Sequence, residues 1–198
     1  MLKLGITGGI ASGKTTATDY IEKKYGAYVF NADKESKKHL KSSIILQKKI
    51  SNIFGNDIFI DKKINFDILA DKVFSNSINH KIMNGIMWPE IYILIENSFA
   101  NIKRKRKHNL FIVDAALIFE AQFTHFFDKT LLITANEKIR IKRATQRRNI
   151  SLENIQNRIS KQMIDSEKKK LANYTITNNK DLKNFKKKLD FFYNQNLF

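Results

Sequence analysis

The chain has 198 residues, 42% of them hydrophobic, and carries 36 Lys and Arg against 19 Asp and Glu, a formal net charge of +17. It contains no cysteine, which excludes disulfides, cysteine-ligated metals and thiol nucleophiles and suits a reducing compartment. No apolar run approaches about 18 residues, and the apolar start is broken by glycines with no small-residue cleavage pattern behind it, so we predict neither a membrane span nor a signal peptide and expect a cytoplasmic protein.

The excess of positive charge has two explanations. It predicts a polyanionic partner, and phosphorylated small molecules, nucleic acids and acidic membranes all qualify. However, the chain is also rich in Lys, Asn, Ile and Phe, which A/T-rich codons specify, so part of the excess can be compositional drift on solvated faces. The charge by itself therefore selects no function.

The predicted elements alternate between strands and helices along the chain. A first strand, LKLGIT, is followed by a glycine-rich loop and a helix that ends at Gly26 and places Ala17, Tyr20 and Ile21 on one face. Apolar runs predict four more strands, at 27–33, 109–120, 129–136 and 173–179. The tail predicts a helix with the apolar stripe Leu182, Phe185, Leu189 and Phe192. This alternation predicts an α/β fold with a parallel five-stranded sheet.

Two segments interrupt the alternation and are too long to be simple crossovers. Residues 34–108 are mostly helical and Lys-rich, and residues 137–170 are a charged helical stretch without a predicted strand. We interpret both as insertions in a single domain whose core comprises residues 1–33, 109–136 and 171–198.

Two features of the first insertion concern its last helix. Pro89, the only proline, is predicted in the first turn of this helix, whose apolar stripe is Ile91, Leu94, Ile95, Phe99 and Ile102. The helix runs into KRKRKH at 103–108, which could hold phosphates, but we favour a solvated helix end that complements the negative carboxyl terminus.

The glycine-rich loop carries a phosphate-binding motif. Gly8, Gly13, Lys14 and Thr15 match G-x-x-x-x-G-K-[ST], directly after a predicted strand and before a helix, as this motif requires. Small residues let backbone N–H groups approach phosphate oxygens at the amino end of a helix, and the lysine reaches the β- and γ-phosphates. The predicted ATP-binding residues are Gly9, Ala11, Ser12, Gly13, Lys14, Thr15 and Thr16. The motif indicates a P-loop NTPase, with helices on both faces of the sheet.

A magnesium site is predicted next to the loop. The Thr15 hydroxyl is expected to hold Mg²⁺, and Asp114 ends a predicted apolar strand, where P-loop enzymes keep a carboxylate for the metal. Asp114 could equally cap a helix.

The remaining motifs favour a small-molecule kinase among P-loop proteins. The base-reading N-K-x-D motif of GTPases and the L-S-G-G signature of ABC proteins are both missing from the sequence. The second insertion contains five arginines that could close over a transferring phosphoryl group: Arg140, Arg143, Arg147, Arg148 and Arg158. Arg143 and Arg147 share one helix face. A solvated basic helix would account for some of the five.

The sequence resembles one family, the dephospho-CoA kinases, nearly end to end. The opening LGITGGIASGKTT is similar to the opening of that family, and NAD at 31–33 occupies the place of its Asp-Ala-Asp. WPEI at 88–91 resembles its His-Pro-x-Ile/Val, and DAALIFE at 114–120 resembles its Asp-x-Pro-Leu-Leu-Phe-Glu. Arg143, Arg147 and RISKQ match its lid, and LANYTITNN resembles its Ala-Asp-x-x-Ile-x-Asn ending.

The resemblance implies transfer of the ATP γ-phosphoryl group to the ribose 3′-hydroxyl of dephospho-CoA. It implies that Lys14, Asp33, Arg143 and Arg147 are catalytic, with Asp33 orienting and deprotonating the hydroxyl. This agrees with a carboxylate that ends the second predicted strand beside the P-loop, although Asp33 could also be a helix cap. Residues 34–108 would be the lobe that binds CoA and residues 137–170 the lid. The implied partners are ATP with Mg²⁺ and dephospho-CoA, without nucleic acid or membrane; the oligomeric state stays open.

The sequence departs from the family pattern at five positions. They are Ala11 for a glycine of the loop, Asn31 for the first acid, Trp88 for the histidine, Ala116 for a proline and Asn173 for the later acid. Ala11 is tolerable if its φ is negative, whereas a left-handed backbone would cost roughly 1 kcal/mol or more. An indole only donates hydrogen bonds, so Trp88 loses any acceptor role of the histidine. We expect a lower substrate affinity than is usual and retained activity.

Two alternatives remain open from the sequence. Another small-molecule or nucleotide kinase would share everything except the family-specific pieces. A nucleic-acid-binding ATPase would use KRKRKH and the overall charge, and its oligonucleotide binding would depend steeply on salt.

Overall fold

The computed structural model describes residues 1–148 and 152–197, apart from the side chains at positions 147, 148, 153, 154 and 158. The chain divides into two compact units, one formed by residues 1–31 and 97–198 and the other by residues 32–96. No helix in the described part of the chain is both long and apolar enough to cross a membrane.

The first unit is built on a parallel five-stranded sheet. Its strands are β1 (Leu2–Thr7), β2 (Tyr28–Asn31), β5 (Leu110–Asp114), β6 (Lys129–Thr134) and β7 (Tyr174–Thr177). They lie in the order β2-β5-β1-β6-β7, and every neighbouring pair is parallel. The five predicted strands and their parallel arrangement are therefore confirmed, but β5 is shorter than its predicted run 109–120, because the chain turns away from the sheet after Asp114.

Helices cover both faces of this sheet. On one face α1 (Lys14–Tyr25) and α9 (Leu182–Asn196) pack their buried residues, including Ile21 and Leu189, against Leu4 and Ile112. On the other face Phe111 meets the ring of Phe99 at 5.4 Å, edge to face. The side chains of the consecutive residues Phe111 and Ile112 thus pack on opposite faces of the sheet, as the alternation of side chains along a strand requires.

The ends of these two helices follow their sequence signals with one exception. α1 ends where Gly26 takes a left-handed φ of 67°, as predicted. Along α9, Phe185, Leu189 and Phe192 are buried, but Leu182 is 52% exposed because it is the first residue of the helix, directly after the Asp181 cap.

The segment 137–170 contains α6 (Glu137–Arg148), α7 (Leu152–Ser160) and α8 (Asp165–Leu171). No strand occurs in its described residues, which agrees with the predicted helical stretch.

The second unit is mainly helical. Its elements are α2 (Ala32–Ser42), α3 (Ile44–Phe54), β3 (Phe59–Ile60), β4 (Lys63–Ile64), α4 (Phe66–Phe74) and the first part of α5 (Ser77–Lys105). It has its own core, formed by Leu40, Leu46, Ile50, Phe54, Ile58, Leu69, Val73, Ile86 and Met87.

Sequence patterns did not predict the β3–β4 hairpin. Its two-residue turn, Asp61 and Lys62, has positive φ angles of 48° and 61°, the arrangement that suits tight hairpins. An Asn-Gly or Asp-Gly pair would have indicated this turn, whereas Asp-Lys does not.

The prediction for Pro89 is wrong. It lies in the interior of the 29-residue helix α5, where it cannot donate the hydrogen bond that would reach the carbonyl of Gly85. Burial of Ile86, Met87 and Ile95 along this helix offsets the loss, which is about 3 kcal/mol in an isolated helix. The preference of proline for first turns was overridden by apolar residues that continue on its amino-terminal side.

The basic run 103–108 lies at the carboxyl end of α5, as predicted. Residues 103–107 are exposed, and the helix stops where Arg106 adopts a φ of 51°. The His108 ring nitrogen Nδ1 lies 2.8 Å from the Gly26 carbonyl oxygen.

Candidate active site

The loop between β1 and α1 has a backbone that only glycine can adopt at two places. Gly8 and Gly13 have φ angles of 149° and 110°. A Cβ atom at Gly8 would overlap the carbonyl oxygen of Ile133, and one at Gly13 would overlap the Asn178 amide nitrogen. The two outer glycines of the motif are therefore required both by backbone conformation and by close packing.

Ala11 also adopts a left-handed backbone, with φ at 56°. Alanine in place of the family's glycine is therefore costly here, because an L-residue with a left-handed backbone brings its Cβ too close to the following carbonyl oxygen. Ala11 is partly exposed, and we expect its cost to fall on the stability of the fold.

Lys14 begins α1 and folds back over the loop. Its Nζ donates to the carbonyl oxygens of Gly8, at 2.7 Å, and Gly9, at 3.3 Å. The ammonium group is therefore held at the amino end of the helix, beside the backbone N–H groups of the loop, where a phosphate would bind.

Three side chains meet at the carboxyl ends of β2 and β5. The Asp114 carboxylate is buried, and one of its oxygens accepts hydrogen bonds from the Thr15 hydroxyl, at 3.5 Å, and the Asn31 amide, at 3.2 Å. A hydroxyl and a carboxylate side by side are ligands suited to Mg²⁺, which takes one or two protein groups and completes its shell with phosphates and waters. Asn31 supplies a donor where the family pattern has an acid, so it holds Asp114 in place without adding a second negative charge.

The other predicted loop residues have distinct surroundings. Ser12 is buried, and its hydroxyl has no hydrogen-bond partner among the described residues. Thr16 lies in the first turn of α1 and is partly exposed.

Asn178 links the loop to the second insertion, a role that sequence reasoning missed. Its side-chain amide donates to the Ser12 carbonyl at 2.9 Å, and its own carbonyl accepts from Arg143 Nη1 at 3.1 Å. Its backbone N–H donates to the Thr134 carbonyl at 2.7 Å. Asn178 follows β7 directly, so the one available signal was its place at the carboxyl edge of a parallel sheet, where ligands bind.

The structure describes the side chains of two of the five predicted arginines. Arg140 and Arg143 lie on α6; Arg140 is buried and Arg143 is partly exposed. The side chains of Arg147, Arg148 and Arg158 lie outside the described part of the structure, so the expected pairing of Arg143 with Arg147 stays a prediction.

The end of the second insertion is anchored to the loop after β5. Lys168 is fully buried, and its Nζ contacts Glu120 Oε1 at 2.8 Å and the Ala116 carbonyl at 3.1 Å. The same Glu120 oxygen accepts from the Met163 backbone N–H at 2.9 Å. Alanine at position 116, where the family pattern has proline, does not affect this contact, because Lys168 binds the main-chain carbonyl of Ala116.

The departure at Asn173 also preserves a hydrogen-bond acceptor. Its Oδ1 accepts from the backbone N–H of Thr130 at 2.7 Å and from the Thr130 hydroxyl at 2.9 Å. An aspartate could accept the same two bonds, so the replacement by asparagine removes a charge and keeps the geometry.

Asp33 does not end a strand, contrary to the prediction. β2 ends at Asn31, and Asp33 is the second residue of α2 in the unit 32–96, with an exposed side chain. A carboxylate in the first turn is favoured by the positive end of the helix dipole. Trp88 belongs to the same unit and is partly exposed.

Known proteins have sequences similar to this one over nearly the whole chain. The sequence profile of the dephospho-CoA kinases matches residues 2–184. A dephospho-CoA kinase from Chlamydia caviae is 33% identical over 98% of this chain and 96% of its own length. One from Fusobacterium nucleatum is 34% identical over 96% and 95%.

A solved structure extends the comparison to three dimensions. The dephospho-CoA kinase from Campylobacter jejuni superposes with a TM-score of 0.69 at 27% identity, covering 98% of this chain and 96% of that one. Together with the P-loop geometry and the parallel sheet, these matches show that the chain belongs to the dephospho-CoA kinase family.

Proposed function

We propose that the protein transfers the γ-phosphoryl group of ATP to the ribose 3′-hydroxyl of dephospho-CoA, which yields coenzyme A and ADP. The family match over residues 2–184 carries this proposal. The hydroxyl oxygen would attack the γ-phosphorus, the bond from that phosphorus to the β–γ bridging oxygen would break, and the hydroxyl proton would pass to a carboxylate.

The loop from Gly8 to Thr16 supports the ATP half of the reaction. Backbone N–H groups and the amino end of α1 favour phosphate oxygens, and Lys14 Nζ already lies on the loop carbonyls beside them. Thr15 and Asp114 would hold Mg²⁺, which when bound neutralises charge on the phosphates.

Asp33 is proposed to orient the acceptor hydroxyl and take its proton. Its carboxylate is exposed at the start of α2 and thus accessible to a substrate. Residues 34–108 would provide the lobe that binds CoA.

Arg143 and Arg147 are proposed to neutralise charge on the transferring phosphoryl group. The support is the position of Arg143, whose guanidinium donates to Asn178 while the Asn178 side chain holds the P-loop. A cation fixed in this way is preorganised and needs little rearrangement in the transition state. Residues 137–170 would form the lid, and we place the enzyme in the cytoplasm, where ATP is available.

A coupled ADP-release assay with purified protein, ATP and MgCl₂ tests the proposal. We expect ADP release only when dephospho-CoA is added, and a product 3′-phosphorylated on the ribose by mass spectrometry. Shikimate, adenosine and a single-stranded oligonucleotide serve as alternative acceptors or stimulants, and Lys14→Ala is the inactive control. Turnover with any of these three but not with dephospho-CoA would contradict the proposal and favour another kinase or a nucleic-acid-dependent ATPase.

A further inference from the structure

Arg140 is a buried cation without a counter-charge among the residues that the structure describes. It lies in the first turn of α6 and is only 7% exposed. Its Nε has no hydrogen-bond partner, and no ion pair joins it to a carboxylate in the described part of the chain. A guanidinium stays protonated in proteins, so burial does not remove this charge.

The guanidinium lies directly on the phosphate-binding loop. A Cβ atom placed on Gly9 would overlap Arg140 Nη1, so glycine at this position leaves room for the cation. The same Cβ would lie 3.7 Å from the amide oxygen of Gln162, a group that carries no charge. Lys14 Nζ contacts the carbonyl oxygen of the same Gly9. Two cations therefore converge on one residue of the loop.

This arrangement is unfavourable without an anion. A buried charge needs a partner, two like charges repel each other, and the first turn of a helix disfavours a cation. All three costs are relieved when a polyphosphate binds in the loop, because its negative charge serves both cations at once.

We propose that Arg140 is a further binding residue for the triphosphate of ATP, acting from the side of Gly9. The inference rests on the proposed function only in taking ATP as the ligand. It differs from the proposed lid arginines, since Arg140 is held against the loop by burial and contributes to ATP binding before phosphoryl transfer.

The test compares Arg140→Met with Lys142→Met. The first removes the buried charge and keeps an apolar stem; the second removes one charge from an exposed position of the same helix. Calorimetric titration with ATP and with inorganic tripolyphosphate should show at least tenfold weaker binding of both ligands to Arg140→Met, and less than a twofold change for Lys142→Met. Adenosine binding should change less than twofold in both variants.

Thermal unfolding separates this role from a structural one. Without ligand, Arg140→Met should melt at the same temperature as the wild type or higher, and ATP should raise its melting temperature less. A lower melting temperature together with wild-type ATP affinity, in either Arg140→Met or Arg140→Gln, overturns the proposal, as does failure of both neutral variants to fold while Arg140→Lys folds. If ATP binding depends on Arg140 but dephospho-CoA is not phosphorylated, the proposed function fails and the assignment of Arg140 stands.

Discussion

Replacing Ala11 by glycine should stabilise the protein. Ala11 has a φ of 56°, a conformation that costs an L-residue about 1–2 kcal/mol and costs glycine nothing. Glycine is also more flexible than alanine in the unfolded chain, and this lowers the stabilisation by roughly 0.4–1 kcal/mol. The net gain in unfolding free energy is about 0.5–1 kcal/mol, which for a chain of this size raises the melting temperature by roughly 1–4 °C.

The assay is urea and thermal unfolding of Ala11→Gly beside a matched control, Ala100→Gly. Ala100 is exposed on α5 with a helical backbone, so the same chemical change there should lower the unfolding free energy by about 1 kcal/mol. The two variants should therefore shift in opposite directions. If Ala11→Gly also lowers stability, the left-handed backbone at this position is not costly and the reasoning is refuted.

The remaining predictions concern the proposed active site. Lys14→Ala should lower kcat roughly 100-fold or more and leave the melting temperature within about 1–2 °C of wild type, because Lys14 is partly exposed and water can replace its Nζ at the loop carbonyls. Near-normal turnover would contradict the P-loop assignment. Asp33→Asn should lower kcat roughly 100-fold in the ADP-release assay with ATP affinity almost unchanged, and loss of ATP binding at a normal rate would place this residue in the nucleotide site instead. Arg143→Ala should depress kcat more than it raises KM for ATP, with Arg143→Lys in between because lysine lacks the planar fork; no effect of either substitution on rate would argue against a catalytic lid. Asn178→Ala should lower the unfolding free energy in urea by about 1–3 kcal/mol, since it leaves the Ser12 carbonyl without its donor, and an unchanged urea midpoint would show that this bond contributes little.

Local patterns predicted much of the fold. Apolar runs separated by turn residues located all five sheet strands, and the glycine spacing located the loop that connects β1 to α1. Such patterns succeed because side-chain periodicity and backbone requirements act over a few residues. They failed where a local preference met stronger packing, as at Pro89 in the interior of α5, and where a turn used atypical residues, as at Asp61 and Lys62.

The candidate site divides along the same line. The sequence by itself determined the loop residues, Lys14 and Thr15, because their chemistry lies within one short motif, and it placed Asp114 at a strand end. Only the tertiary structure decided which distant groups join them. Asn178 and Ser12 are 166 positions apart in the sequence. They meet because only β6 separates β1, which leads into the loop of Ser12, from β7, which Asn178 follows. In the sequence Arg140 is one of five arginines in the second insertion. Only the packing of α6 against Gly9 buries it, with no counter-charge in the described part of the chain. Burial and charge balance depend on contacts between segments far apart in the chain, which no local pattern encodes.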